Sequence, residues 1–291
     1  MNDPAARQQA FQSLLRGPHC TQIASVFDPV SARLAQAAGF RGGFLSGSMT
    51  SAVVHGAPDV GVLTLTELAE QVRRTARASD LPLLVDGDHG YGNALNVIWA
   101  VRELEAAGAA AMTIEDLVAP QPLGVSEDRA LADSEFEAKL VAAVAARRSD
   151  QFAIVGQTII ASVSGEDALV QRARLIEAAG CDAVMIYKVG TAAALEAVAD
   201  AVSLPLILAP LAPQLNDPDL LRRCRVRISF LGHQAFRAAV AAMHSAYLAL
   251  LEDNTAARAA AMGAEPELLR QALRRDEVAT LMRDFLHAEL D

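Results

Sequence analysis

Short apolar runs alternate along this chain with longer segments whose apolar residues recur every three or four positions. The runs Thr21 to Phe27, Gly43 to Ser46, Leu83 to Val85, Ala111 to Ile114, Phe152 to Ile160, Ala183 to Tyr187, Leu204 to Leu208 and Val226 to Leu231 are too short for helices and read as buried strands. Between them the spacing predicts helices over 8–16, 31–38, 66–78, 94–107, 134–148, 167–179 and 191–201. A short helix follows at Asp217-Pro218, and a long one runs from after Gly232-His233 to near Glu252. Ser134 and Glu137 have the spacing of a capping box. Ala37-Ala38-Gly39, Ala106-Ala107-Gly108 and Ala178-Ala179-Gly180 each close a helix a few residues before a strand. Glycine there tolerates the left-handed conformation that ends a helix, so the repeat marks a recurring helix–turn–strand unit.

Eight strands alternating with helices imply parallel pairing with both faces covered. The pattern predicts an α/β chain folded as a (β/α)8 TIM-type barrel, with an N-terminal helix and extra C-terminal helices. An open doubly wound sheet is the runner-up. The barrel is assigned to 1–253 and a helical extension to 254–291. In the extension Leu268, Leu269, Leu273, Leu281, Met282, Phe285 and Leu286 recur at helical spacing. A closed barrel does not need that apolar face. It either folds back on its own barrel or docks on another subunit, and the reading favours the second.

Composition narrows the classes. Apolar residues make up 52% of the 291, enough for a large core, and the net charge of −10 with no basic stretch argues against a nucleic-acid partner. No run reaches the ~18 apolar residues a membrane helix needs. The first ten residues lack the order of a signal peptide, and Cys20, Cys181 and Cys224 have neither metal spacing nor an even count. A reduced, cytoplasmic protein is expected.

The polar residues at the predicted strand ends carry the chemistry, because in a parallel barrel those ends share one rim. They are Ser46-Gly47-Ser48, Asp86 and Asp88, Glu115 and Asp116, Gln157, Tyr187-Lys188 and His233. Asp86, Asp88 and Glu115 come from adjacent strands. Clustered carboxylates repel unless a cation or proton joins them, and hard oxygen donors suit Mg2+ or Mn2+. The competing reading is a polar loop, with Glu115 in an ion pair. Ser46, Gly47 and Ser48 offer hydroxyls and backbone N–H groups to a substrate carboxylate, or simply make a turn. On residue type alone, His233 reads as a packed histidine or a helix cap, and Lys188 as a solvated lysine.

Asp86-Gly87-Asp88-His89-Gly90-Tyr91-Gly92-Asn93, with Thr113-Ile114-Glu115-Asp116, Ser25-Val26-Phe27-Asp28 and Leu45-Ser46-Gly47-Ser48, resembles the isocitrate lyase/phosphoenolpyruvate mutase superfamily from about residue 10 to 250. His89 to Val97 and Gly232-His233 are most similar to its bacterial oxaloacetate decarboxylase branch. The resemblance implies a (β/α)8 barrel with Mg2+ held chiefly by Asp86, while Asp88 and Glu115 act through water. Asp86 and His233 would be catalytic, and Ser48 and His233 would contact the substrate, together with Ser46, Gly47 and Gln157. It also implies a homotetramer, or a homodimer, with exchanged helices. The activity implied is Mg2+-dependent decarboxylation of oxaloacetate, or a related small 2-oxo acid, through a metal-stabilised enolate. Two departures matter. Residues 117–124 lack the Lys-Lys-Cys-Gly-His segment of the lyases, which speaks against isocitrate cleavage. Strand five carries Gln157-Thr158-Ile159-Ile160 where the decarboxylase branch resembles Arg-Thr-Asn-Ala, so a charged grip on a second carboxylate is replaced by a neutral amide. The alternatives are a C–C lyase or hydrolase on a less charged 2-oxo or 2-hydroxy acid, and a non-catalytic member of the superfamily.

Overall fold

A computed structural model describes residues 3–125, 127–252 and 256–288. The strands form one parallel sheet in the order β1-β9-β8-β7-β6-β5-β4-β3-β2. They are β1 Thr21–Gln22, β2 Ala24–Ser25, β3 Gly43–Leu45, β4 Leu83–Asp86, β5 Ala111–Glu115, β6 Ala153–Thr158, β7 Ala183–Tyr187, β8 Leu206–Ala209 and β9 Val226–Ser229. β1 and β2 are halves of one extended segment. Thr21 and Gln22 pair with β9, while Ala24 and Ser25 pair with β3. That segment joins the two ends of the sheet, so eight staves close a barrel as the alternation predicts. One strand was expected over Thr21 to Phe27. It splits because its backbone turns from one neighbour to the other around the closing seam.

The barrel has two apolar layers. Inside, Phe44, Leu84, Val155, Met185, Ile207, Ile228 and Phe230 alternate with small residues such as Ala111, Ala153 and Ala183. Helix α1 (Pro4–Arg16) closes the strand N-termini, inserting Phe11, Leu14 and Leu15 into this interior. Outside, the strands' other faces meet the helical ring, with Leu68, Val72, Val101, Leu104, Phe136, Leu140 and Ile176 fully buried or nearly so. Interior alternation at period two follows from the pleat. The three Ala-Ala-Gly stops behave as expected, with φ of 95° at Gly39, 98° at Gly108 and 85° at Gly180.

Several boundaries differ from the pattern. Gly47–Val54 is a helix, α3, where only a connection was read. The helix expected from Ser134 starts at Asp133, and its N-cap position, Ala132, makes no side-chain cap bond, so the Ser134/Glu137 capping box does not form. β6 stops at Thr158 rather than Ile160. The Asp116 carboxylate accepts from both Thr158 Oγ1 (2.7 Å) and the Ile159 N–H (2.8 Å), turning the chain out of the sheet into the short helix Ile160–Ser164.

The last barrel helix, Gln234–Glu252, is 19 residues long, and Ala249 is its one buried residue. The boundary assigned at 253–254 lies outside the described residues. Within the extension, Pro266–Ala272 lies against helix α2 (Pro29–Ala37), where Arg33 Nη1 donates to the Ala272 carbonyl at 3.0 Å. Phe285 and Leu286 remain 76% and 68% exposed, so its apolar stripe is largely uncovered within one chain.

Candidate active site

The loop after β4 sets the geometry. It runs through Asp88, Gly90, Tyr91 and Gly92 at positive φ, a path glycine accepts readily and aspartate better than most residues. Gly87 is required on other grounds: a Cβ there would meet the Thr113 carbonyl oxygen at 2.4 Å. Gly87 N–H donates to the Thr113 carbonyl and Glu115 N–H to the Asp88 carbonyl (2.9 Å), which locks this loop to the end of β5. From behind, the buried Lys139 ammonium donates to the His89 carbonyl at 3.1 Å.

Asp86, Asp88 and Glu115 line one cavity of ≈ 500 Å³ at the strand C-termini, with Ser46, Ser48, Gln157 and His233. Asp86 accepts from Thr113 Oγ1 (3.1 Å), the Asp88 N–H (3.2 Å) and the Gly47 N–H (3.4 Å). The Asp88 carboxylate accepts no hydrogen bond among the described residues and abuts Gly47. Glu115 accepts from Gln157 Nε2 at 2.7 Å. Burial pushes all three carboxyls above their ordinary values. For Asp88 the charges of Asp86, Glu115 and Asp59 add to it, and for Glu115 those of Asp86, Asp116 and Asp59.

Ser46, Gly47 and Ser48 form the start of α3. Ser46 is its N-cap, accepting from the Met49 N–H at 3.2 Å, so the turn reading accounts for that hydroxyl. Ser48 Oγ stands 3.1 Å from Ser46 Oγ and 3.4 Å from His233 Nε2. The other ring nitrogen, Nδ1, is 2.8 Å from Ser25 Oγ. Burial lowers the His233 pKa, which favours the neutral imidazole. His233 is therefore both packed, with its ring centroid 5.2 Å from that of Phe230, and turned to the cavity.

Two residues have roles that spacing did not reveal. Asp59, in the long connection before the Leu65–Ala76 helix, brings a further carboxylate to the cavity, which Asp128 also lines. The one signal for it was an acid in an otherwise apolar connection. Asp116 points the other way from Glu115, as adjacent residues of a strand must. It is fully buried, 3.4 Å from Arg172 Nε, and Arg172 Nη2 donates to the Leu131 carbonyl at 3.0 Å. With Leu131 N–H bonded to the Asp116 carbonyl, this pair ties both ends of the 117–131 loop over the site. Lys188 stays outside, exposed, its Nζ 4.7 Å from the Tyr187 ring centroid. Cys181 and Cys224 are buried and Cys20 partly so, none of them lining this cavity.

No group of three or more His, Cys, Asp or Glu among the described residues is placed to hold a metal ion. The donor set nevertheless fits a hydrated hard cation: carboxylate oxygens only, one carboxylate fixed by three hydrogen bonds, and another without any donor. Mg2+ keeps several waters and uses one or two direct carboxylates, and a cavity with one fixed carboxylate and further acids around it offers donors of that kind. The residues present fit the group.

Comparison with known proteins agrees with this geometry. Residues 11–251 match the phosphoenolpyruvate phosphomutase family. The chain is 42% identical over 284 residues to an oxaloacetate decarboxylase of Paraburkholderia xenovorans (strain LB400), covering 97% of this chain and 95% of that one. It is 46% identical over 238 residues to an oxaloacetate decarboxylase of Rhodopseudomonas palustris (strain BisB18), covering 82% and 83%. A phosphonopyruvate hydrolase solved in complex with oxalate and Mg++ superposes with a TM-score of 0.86 at 27% identity, covering 96% of this chain and 99% of that one. A barrel closed by eight staves, an acid cluster at its rim and a match across most of the sequence together place this chain in the phosphoenolpyruvate phosphomutase family.

Proposed function

We propose that this chain is a Mg2+-dependent carbon–carbon lyase that decarboxylates oxaloacetate or a related small 2-oxo acid. The carrying observation is that Asp86, Asp88 and Glu115, from neighbouring strands, line a single cavity together with Ser48 and His233. The relatives named oxaloacetate decarboxylase, and the structural relative that holds oxalate with Mg++, support the substrate and the ion.

A divalent cation, when bound, supplies positive charge to a chelating 2-oxo acid and to the enolate that develops as the neighbouring bond breaks. The chain's own groups do the rest. Asp86 is held in one orientation by Thr113 and two backbone N–H groups. Asp88, Glu115 and Asp59 orient water around the site. Ser48 and the N-terminal turn of α3 face the substrate carboxylate. His233, with Nδ1 2.8 Å from Ser25 Oγ, turns Nε2 to the cavity as a neutral hydrogen-bonding group beside the substrate, and the carbon left by CO2 takes its proton from solvent water. The test is pyruvate release from oxaloacetate above the protein-free rate, with Mg2+ and with EDTA, in wild type and Asp86→Ala. Loss of the excess rate in EDTA and in the variant is expected, and equal rates throughout would refute the metal role.

The proposal extends to assembly as a homotetramer, or a homodimer, in which the last helices are exchanged. Gln234–Glu252 buries almost nothing against its own barrel and exposes Met243, Tyr247 and Leu251. At its base, Ile23, Val30, Leu34 and Phe40 line an apolar groove of ≈ 560 Å³. A second copy's helix has the apolar face that such a groove takes. Sedimentation of the full chain against a 1–233 truncation tests this: an oligomer that survives truncation contradicts it.

A further inference from the structure

The metal side of the cavity accounts for one end of a 2-oxo acid, and the opposite wall decides the other. That wall consists of Gln157, Met185, Tyr187, Pro210 and Phe230. Its chemistry is unusual for a site meant to hold a dianion. The described residues lining the cavity include Asp59, Asp86, Asp88, Glu115 and Asp128, and among them there is no lysine or arginine. Arg129 and Lys188, on the flanking segments, are exposed, and the Lys188 ammonium lies over the Tyr187 ring. Gln157 and the Tyr187 phenol are the polar groups of this wall, and both are neutral. Gln157 Nε2 is engaged by Glu115 at 2.7 Å, and its Oε1 is buried without a hydrogen-bond partner. An acceptor-only carboxylate brought to this wall would meet an unpaired acceptor, a neutral phenol and hydrocarbon, with no fixed positive charge. An uncharged group loses little there, and a hydroxyl or N–H would satisfy Oε1.

We infer that this wall is a subsite for an uncharged fragment and that Gln157 is its specificity-determining residue. This rests on the proposed placing of the 2-oxo carboxylate at the metal side. The substrate class that follows is 2-oxo acids whose far end is neutral, or carries a hydrogen-bond donor, bound at least as well as a dicarboxylate. The same wall is compatible with decarboxylation. The C3–C4 bond breaks, its electron pair stays on C3 as the enolate, C4 departs as neutral CO2, and C3 takes one proton to give pyruvate. The wall then favours the departing CO2 over the carboxylate it came from, so its neutrality appears chiefly as a high KM for oxaloacetate rather than as a low kcat.

The experiment is calorimetric competition against oxalate on the Mg2+-loaded full chain. The competitors are 2-oxobutanoate, 4-hydroxy-2-oxobutanoate and the dicarboxylate 3,3-difluorooxaloacetate. The proteins are wild type, Gln157→Arg and Lys188→Met. In wild type the two uncharged-end acids should bind within threefold of the dicarboxylate, or tighter. Gln157→Arg should shift the ratio at least about tenfold toward the dicarboxylate, as a charge-assisted pair would, each affinity being taken relative to that variant's own affinity for oxalate. A wild-type preference of tenfold or more for the dicarboxylate overturns the inference. If Lys188→Met abolishes that preference, the grip belongs to Lys188 and the inference is equally overturned. Failure of oxalate itself to bind in the presence of Mg2+ is the separate outcome that sinks the proposed function and this subsite with it.

Discussion

Gly47→Ala is a small change with a sharply localised expected effect. Gly47 opens α3, and a Cβ on it would stand 2.9 Å from both Asp88 Oδ1 and Oδ2. Ordinary contact begins at 3.4 Å, so the carboxylate must retreat by about 0.5 Å. The Asp88 backbone cannot follow easily, because its carbonyl accepts from the Glu115 N–H at 2.9 Å. The side chain therefore takes the displacement. A ~0.5 Å error is about the tolerance of a preorganised site, and disturbing a group that orients a metal's surroundings costs about 10–100-fold in affinity. Alanine suits the first turn of a helix, and Gly47 is not among the positive-φ residues, so the fold should lose no more than about 1 kcal/mol. Calorimetric titration with Mg2+, alongside urea unfolding of the metal-free protein, separates the two effects. Tenfold or greater weakening with stability preserved is expected. Unchanged affinity would refute the idea that Asp88 helps to hold the cation through the position it has here.

Arg172→Met should be the opposite kind of change. It leaves Asp116 fully buried without its cation, and loses the bond to the Leu131 carbonyl, so urea unfolding should show about 3–5 kcal/mol lost; less than about 1 kcal/mol would contradict the clamp. The same variant should be cleaved faster by protease within 117–131. The pH dependence of the metal-free protein follows from the sign of the carboxyl shifts. Asp86, Asp88 and Glu115 are pushed above their ordinary values of 3.8, 3.8 and 4.5, so the stability linked to them is full below those values and is lost as pH rises through the folded ones. His233 works the other way, its lowered pKa costing stability as pH falls below the ordinary 6.5. The acids' own signature is a decline of Tm in EDTA as pH rises above their ordinary values, which saturating Mg2+ removes. A metal-free Tm that climbs there would contradict the acid cluster.

The barrel was legible because its signals are local and repeated. Eight short apolar runs and three Ala-Ala-Gly stops fix the alternation, and alternation fixes parallel pairing. What escaped were features decided by contacts distant in sequence. Thr21 to Ser25 divides between two neighbours because the barrel closes there, which no run of five residues announces. β6 ends at Thr158 because Asp116, 42 positions earlier, takes the hydroxyl that would otherwise face the sheet. Ser134 and Glu137 have the spacing of a cap, yet the helix starts one residue sooner and the pattern is left without a role. The acids show the same division. Asp86, Asp88 and Glu115 stand at strand ends and could be collected from the rim rule. Asp59 sits in an irregular connection, so only the folded loop reveals it. Glu115 and Asp116 looked alike in the sequence. The pleat separates them, one turned to the cavity and one to Arg172. The weight of Gln157 came from what a resemblance leads one to expect, and its unpaired Oε1 required coordinates.

The most direct test is whether this acid cluster takes a divalent ion. Calorimetry of the metal-free full chain with Mg2+ should show one site per chain, and Mg2+ at a hundredfold over its Kd should stabilise the fold by about 2.7 kcal/mol. Asp86→Ala should abolish both effects while the protein remains folded. Undiminished binding in Asp86→Ala, or no binding in wild type, would contradict the account at its centre.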